Sequence, residues 1–310
     1  MQMCSRRLGM SRWWGLLLLT ILGGMLDAAQ ARTLETAYGE VEIEGQPQRV
    51  VTLYEGALDT ALSAGVTPLG AIATRGGDGV AAYLGTAADG IAIVGTARET
   101  NMEAVVALRP DLILASPRLP REQYALLSRL APTVVPATSG FEAEAWKAEA
   151  RLFARALDRE ATVNAALDAI DARARELAAR QPPRRPRALL ARWMPHGPMV
   201  MSTRLFATGL MAAAGFAVTD GGLVTEGRPH SDPLSLENLA LIDSDWLFLA
   251  TLNAEGEAAM AAARQTPAFA RLDVVQRDRV MPVDGQLWSS ASGPIAASRV
   301  LDDIAAALAP

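Results

Sequence analysis

The chain has 310 residues, 50% of them hydrophobic and 20% charged, with a formal net charge of −5. That is enough for two domains with ordinary cores, and the composition excludes both a disordered chain and a polytopic membrane protein. The acidic balance argues against nucleic acid as a partner.

Arg6, Arg7 and Arg12 precede an apolar stretch from Trp13 to Leu26, and Ala29-Gln30-Ala31 offers a small-x-small cleavage pattern before Arg32. Residues 1–31 therefore read as a cleavable secretory signal, because the apolar run is shorter than the roughly 20 residues a bilayer-spanning helix needs. Ser5-Arg6-Arg7 suits twin-arginine export and the leucine-rich run suits the general route, so both stay open. Cleavage after Ala31 would remove Cys4, the single cysteine, and with it any disulfide, thiolate metal site or lipid-bearing cysteine. It would also shift the net charge from −5 to −7 and leave Lys147 as the sole lysine, so that arginine makes every other side-chain cationic contact except those of histidine.

Strand-like runs then alternate with helical ones. Arg49 to Leu53, Leu69 to Ala73, Ile91 to Val94, Asp111 to Ala115 and Thr133 to Pro136 read as strands, with helices over Ala57 to Ala64 and Arg121 to Leu130. Mostly parallel α/β architecture follows. After Pro136 the pattern becomes helical. Ser139 and Glu142 have the spacing of a capping box, and Trp146, Ala150, Phe153 and Leu157 share one helical face. Asp158 is read as the start of a second helix, with an apolar stripe of Val163, Leu167, Ile170, Ala174 and Leu177 ended by Pro182-Pro183. From Asp158 to Arg180 this helix spans roughly 34 Å, about the width of a small domain, which suits a rigid connector. Beyond it, Arg187 to Arg192, Met199 to Met201, Ala217 to Thr219, Trp246 to Leu249 and Val280 to Val283 read as strands, and a helix from Pro294 to Leu308 closes the chain. The predicted domains are an α/β lobe over 32–157, the bridging helix over 158–181 and a second α/β lobe over 182–310.

A duplicated pattern supports two related lobes. NMEAVVALRPDLILA from Asn101 matches SLENLALIDSDWLFL from Ser235 without a gap, pairing Glu103 with Glu237 and Asp111 with Asp245. Each copy reads as a capping residue, Asn101 or Ser235, an acidic first turn favoured by the helix dipole, a short helix, a turn and a strand buried on both faces.

Catalytic constellations are scarce. His196 and His230 stand at no metal-ligand spacing, and Ser289, Ser290 and Ser292 lack a nucleophile-elbow frame. Gly76, Gly77 and Gly79 open no helix that would cradle a phosphate. Binding is therefore expected in preference to catalysis. An exported hydrolase would instead need one of these serines within hydrogen-bond reach of His230 or His196. In open α/β sheets ligands sit beyond the carboxyl ends of the strands. The residues that follow the apolar runs are Tyr54 and Glu55, Arg75, Arg98, Arg118, Arg192 with Trp193, and Trp288. Planar guanidinium groups suit carboxylate-like oxygens, so these positions predict a cleft for a fairly large anionic ligand.

RVVTLYEGALDTALSAGVTPLGA (49–71), VGTARETNMEAVVALRPDLILASPR (94–118) and LSLENLA (234–240) resemble the substrate-binding proteins of ABC importers for iron-siderophores, most nearly the ferric-citrate and ferric-hydroxamate group. The resemblance covers essentially the whole chain after the export segment. It implies two Rossmann-like lobes bridged by one long helix, in the class III manner, with the ligand between them and only small closure on binding. It further implies a monomer without a cofactor or direct metal ligands, which captures a ferric-siderophore in the periplasm and delivers it to an inner-membrane ABC permease. Haem or a corrinoid is the alternative cargo, with His230 or Tyr54 as the haem ligand. Carried over, Arg98, Arg118 and Arg192 are the basic ligand contacts, with Tyr54, Arg75, Trp193, His230 and Trp288 beside them. Glu122 and Glu237 match the acidic residues that dock on the permease. The sequence departs from the family where Ala97 separates Gly95-Thr96 from Arg98, and where Pro117 and Pro120 flank Arg118, which leaves Arg118 and Arg121 competing for one role.

Overall fold

The computed structural model describes residues 31–138 and 142–309; residues 1–30 of the predicted export segment and Ser139 lie outside them. The chain opens with an antiparallel hairpin of β1 (Arg32–Thr36) and β2 (Gly39–Ile43). There follow β3 (Val50–Leu53), α1 (Glu55–Ser63), β4 (Gly70–Ala73), a 3₁₀ segment (Ala82–Ala88), β5 (Ala92–Thr96), α2 (Met102–Leu108), β6 (Leu112–Ala115), α3 (Arg121–Leu127) and β7 (Thr133–Val134). Two helices, α4 (Ala145–Leu157) and α5 (Glu160–Arg180), lead to β8 (Arg187–Met194), β9 (Gly197–Val200), α6 (Phe206–Ala213) and β10 (Ala217–Val218). A second 3₁₀ segment (Leu236–Ile242) precedes β11 (Trp246–Thr251), α7 (Ala254–Arg264), α8 (Pro267–Ala270), α9 (Asp273–Gln276), β12 (Val280–Asp284), α10 (Gly285–Ser289) and α11 (Pro294–Ala307).

The first sheet has the order β5-β4-β3-β6-β7, all parallel. The chain starts in the middle and winds outward both ways, so a crevice opens between β3 and β6 at their carboxyl ends. The second sheet runs β10-β8-β11-β12 in parallel, with β9 folded back antiparallel on β8. Strands β3, β4 and β6 are buried at every position, as their unbroken apolar runs require.

The repeat has a structural reading. The Asp111 carboxylate accepts the backbone N–H groups of Gln48 and Arg49 at 2.8 and 2.9 Å, and Asp245, its partner in the pattern, accepts that of Arg187 at 2.8 Å. Each aspartate thus pins the strand of its own repeat to the entry of the neighbouring strand, β3 or β8, in its sheet. The copies differ in their helices. Asn101 caps α2 by accepting from Ala104 N–H, whereas the segment after Ser235 winds as 3₁₀ and the Ser235 side chain makes no cap bond. The tighter turn has less need of a cap, because its i to i+3 bonds engage one more N–H.

Other boundaries also differ from expectation. Asp158 does not start α5; it takes a left-handed conformation (φ 59°) that ends α4, and α5 begins two residues later. Strand β7 is only two residues long, and α3 stops at Leu127. The predicted capping box rests on Ser139, outside the described residues; α4 has Glu144 as its N-cap residue, without a side-chain bond.

The stripe of α5 is buried as predicted, from Val163 through Leu167, Ile170 and Ala174 to Leu177. These residues join one continuous apolar core with α1, α4, α6 and α11, and with Leu112 of the first sheet and Phe248 of the second. The lobes therefore share an interior, and separating them would expose it at about 1.5–3 kcal/mol per large side chain. A polar strut adds to this. Asp59 in α1 is fully buried, and its carboxylate accepts Ile295 and Ala296 N–H at the start of α11, both at 2.8 Å, and the Tyr83 hydroxyl at 3.0 Å. Gly293 (φ 119°) makes the approach possible, since a Cβ there would overlap the Asp59 carboxylate. Burial pushes the Asp59 carboxyl up to about 7, against the pull of these three donors. Among the described residues no helix is long and apolar enough to cross a membrane.

Candidate functional site

A cavity of about 420 Å³ lies between the lobes, within the usual range for a small-molecule site. Its first-lobe wall comes from the carboxyl ends of four strands: Leu53 to Glu55 after β3, Arg75 after β4, Thr96 to Arg98 after β5 and Ser116 to Pro120 after β6. Helix α4 supplies Trp146 and Glu149 to the lining, and the second lobe supplies Arg192, Met201, Arg204, His230 and the 288–292 loop. Of the eight predicted ligand-contact residues, seven line this cavity: Tyr54, Arg75, Arg98, Arg118, Arg192, His230 and Trp288. Arg121 does not line it and lies over the Tyr38 ring instead, so Arg118 holds the cleft position.

Trp193 is the exception. Successive strand residues point to opposite faces of a sheet, so on β8 Arg192 faces the cleft while Trp193 turns away and packs edge-on against Phe269, 1% exposed. Trp288 forms part of the wall but presents little surface. It is 1% exposed, its ring stacks on Phe248 at 4.9 Å, and its indole N–H donates to Asp303 at 2.7 Å.

Arg192 is the most unusual group in the site. It is 4% exposed, forms no salt bridge among the described residues, and its Nε has no hydrogen-bond acceptor. Burial, and then repulsion from Arg75, lower its guanidinium to about 10, so it remains charged at neutral pH. A buried, unpaired cation carries a penalty of several kcal/mol, which an anion entering the cavity would offset.

The acids of the cleft floor are engaged elsewhere. Glu149, which is buried, accepts the hydroxyls of Tyr54 (3.0 Å) and Thr138, and Tyr54 also meets Ser292 Oγ at 3.1 Å. Burial, followed by the Glu149 charge, drives the Tyr54 phenol far above its ordinary range. Glu55 accepts the Thr74 hydroxyl and Arg75 N–H; burial raises its carboxyl against those bonds. Glu149 and Arg204 were not singled out from the sequence, and Ser292 only as a candidate nucleophile. Glu149 sits on the apolar face of α4, a position at which an acid needs buried partners, and this was the signal available.

His230 bonds through Nδ1 to Ser231 O (2.8 Å), Ser289 donates to Gly285 O, and Ser290 Oγ has no partner. No serine–histidine pair occurs among these bonds. Among the described residues, no cluster of three or more His, Cys, Asp or Glu side chains is poised to hold a metal ion. The predicted docking residues Glu122 and Glu237 are both exposed, in the first turns of α3 and of the second 3₁₀ segment.

The periplasmic binding protein family matches residues 57–287, and the chain belongs to it. The achromobactin-binding periplasmic protein of Dickeya dadantii is 27% identical over 271 residues, covering 84% of this chain and 86% of its own. The Fe(3+) dicitrate-binding periplasmic protein FecB of Escherichia coli is 24% identical over 293 residues, 90% and 91% of the two chains. Among solved structures, Staphylococcus aureus SirA in complex with staphyloferrin B superposes with a TM-score of 0.77 at 25% identity, over 89% of this chain and 98% of that one.

Proposed function

We propose that this periplasmic binding protein captures a ferric-siderophore in the cleft between its lobes and delivers it to an inner-membrane ABC permease. The observation that carries the reading is Arg192, a buried guanidinium with no acid partner among the described residues, facing a cavity lined by arginines from both lobes. The relatives support it: one is named for binding achromobactin, one for ferric dicitrate, and one is solved with staphyloferrin B. The iron stays within its chelator and the protein needs no cofactor. Arg98, Arg118 and Arg192 grip the chelate's oxygens, with Arg75, Tyr54, His230 and the Trp288 wall completing the site. Three charge-assisted bonds at about 1.5–3 kcal/mol each approach the roughly −8 kcal/mol of micromolar binding.

The protein is exported, is cleaved after Ala31 and works as a monomer. Its two lobes flank α5 (Glu160–Arg180) as the bridging helix. Glu122 and Glu237 meet basic residues of the permease, and exposed acids in these positions steer association more than they fix affinity. A haem held by Tyr54 suits the site less well, because an iron-ligating tyrosine must lose its proton and burial beside Glu149 opposes that loss. Native mass spectrometry of protein purified from its own periplasm is the test. A bound mass containing iron and an organic chelator is expected; haem, a corrinoid or an iron-free organic ligand would overturn the reading.

A further inference from the structure

The glycine-rich segment after β4, which cradles no phosphate, has a place in the site. Thr74 to Gly79 form a closed turn, in which Thr74 N–H donates to Gly79 O at 2.8 Å and Gly77 N–H donates to Thr74 O at 3.2 Å. The turn is held from both lobes. On its own side, one carboxylate oxygen of Glu55, in the first turn of α1, accepts the Thr74 hydroxyl and, at 3.2 Å, the Arg75 N–H. On the other side its backbone comes up against the second lobe. A Cβ on Gly76 would lie 3.1 Å from Leu252 O, just beyond β11, and one on Gly77 would lie 3.0 Å from Nε2 of Gln286 in α10. Gly76 also has φ 82°, a backbone conformation that other residues rarely take. These two glycines let the lobes touch at the turn.

Arg75 is the side chain that the arrangement presents. It is exposed on the turn, and it also lines the cavity between the lobes. Its charge acts in two directions. Across the lobe boundary it helps to lower the Arg192 guanidinium, and within its own lobe it opposes the burial that raises the Glu55 carboxyl. Among the described residues Glu55 and Arg75 form no salt bridge, so Glu55 fixes the Arg75 backbone and leaves the guanidinium available. Like charges from opposite lobes repel, and a loose turn would carry Arg75 away from Arg192 until an anion stood between them. A guanidinium whose backbone is already fixed loses less freedom on meeting that anion, and binding is tighter by the difference.

Resting on the ferric-siderophore reading above, we propose that Glu55 is a positioning residue for capture. By tethering the Thr74–Gly79 turn against the second lobe it holds Arg75 beside Arg192, and it acts on the ligand only through Arg75. Glu55 also lines the cavity, and an acid in a first helical turn suits the helix dipole. Either of those roles would be independent of Arg75, so a double-mutant cycle separates them from the tether.

Ferric dicitrate in citrate excess, ferric achromobactin and ferric staphyloferrin B are titrated into the full mature protein by intrinsic fluorescence and calorimetry, and the tightest binder becomes the probe for the variants. Glu55→Ala and Arg75→Ala are each expected to lose about five-fold or more in affinity, and the double variant should stay within about two-fold of Arg75→Ala alone. Glu55→Gln, which keeps an accepting oxygen, should recover most of the loss. With no ligand present, amide exchange across the turn, followed by mass spectrometry, should be about five-fold faster in Glu55→Ala than in the parent. Losses that multiply in the double variant, parental affinity in Glu55→Ala, or unchanged exchange in the turn would each overturn the inference while the siderophore function stands. A parent protein that binds none of the three chelates would sink both. Should Glu55→Ala not fold, Gly76→Ala, at an exposed position, displaces the same turn from the second-lobe side and takes its place in the cycle.

Discussion

Replacing Asp59 with asparagine tests the strut that joins the lobes. Asparagine keeps the shape but has one acceptor oxygen, so one of the two N–H groups at the start of α11 would face an amide donor and lose its bond. Losing a buried backbone bond costs about 1–3 kcal/mol, and this sets the effect at low pH, where the native carboxyl is itself neutral. The pH dependence has the opposite sense. The Asp59 carboxyl titrates near 7 in the folded protein and at about 3.9 when unfolded, so the native state binds the extra proton between those values. Its contribution to stability is complete below pH 4 and is lost as pH rises through 7, by about 4 kcal/mol for a shift of this size. The stability of the parent relative to the asparagine variant should therefore fall as pH rises from 4.5 to 7, by about 3 kcal/mol, and stay level above that. Urea unfolding of both proteins at half-unit steps from pH 4.5 to 8.5 measures the difference directly. A gap that stays constant across that range would show that Asp59 does not titrate there, and the account of its burial would be wrong.

Leu167→Ala, in the middle of the bridging stripe, should cost about 2–5 kcal/mol. Because the lobes share one core, calorimetry should still show a single transition; two separated transitions would refute the shared interior. Gly293→Ala should lower the melting temperature by several degrees, since it adds a Cβ against Asp59 at a positive φ, and an unchanged value would mean that the approach is not as close as described. Trp193→Phe should leave chelate affinity within two-fold while destabilising the second lobe through its contact with Phe269, and a ten-fold affinity loss would put Trp193 back in the cleft. Glu122→Arg together with Glu237→Arg should preserve chelate binding and reduce stimulation of permease ATPase activity in liposomes; full stimulation would remove both from the docking surface.

The order of elements, the two-lobe plan and the connecting stripe were legible because each is a local pattern repeated along the chain. Apolar runs mark doubly buried strands, and a 3.6-residue period marks Val163 to Leu177. The arginines of the site were also legible, through the rule that open sheets bind ligands at the carboxyl ends of their strands. Trp193 was misplaced although the necessary signal was present: a period of two puts neighbours on opposite faces, so Arg192 and Trp193 do not face the same space.

What the sequence determined by itself was therefore the set of elements, their approximate bounds and the chemical character of the cleft, since these depend on side-chain periodicity and residue type within a few positions. The tertiary structure decided which polar groups meet across the molecule. Asp59 reads as an ordinary surface acid in an amphipathic helix until its partners, 236 and 237 positions away, are brought against it. Arg192 reads as one arginine among many until folding buries it with no acid beside it among the described residues. Burial and pairing of charge are properties of the packed state, because the free energy of an ion depends on everything within several ångströms of it, whichever part of the chain that comes from.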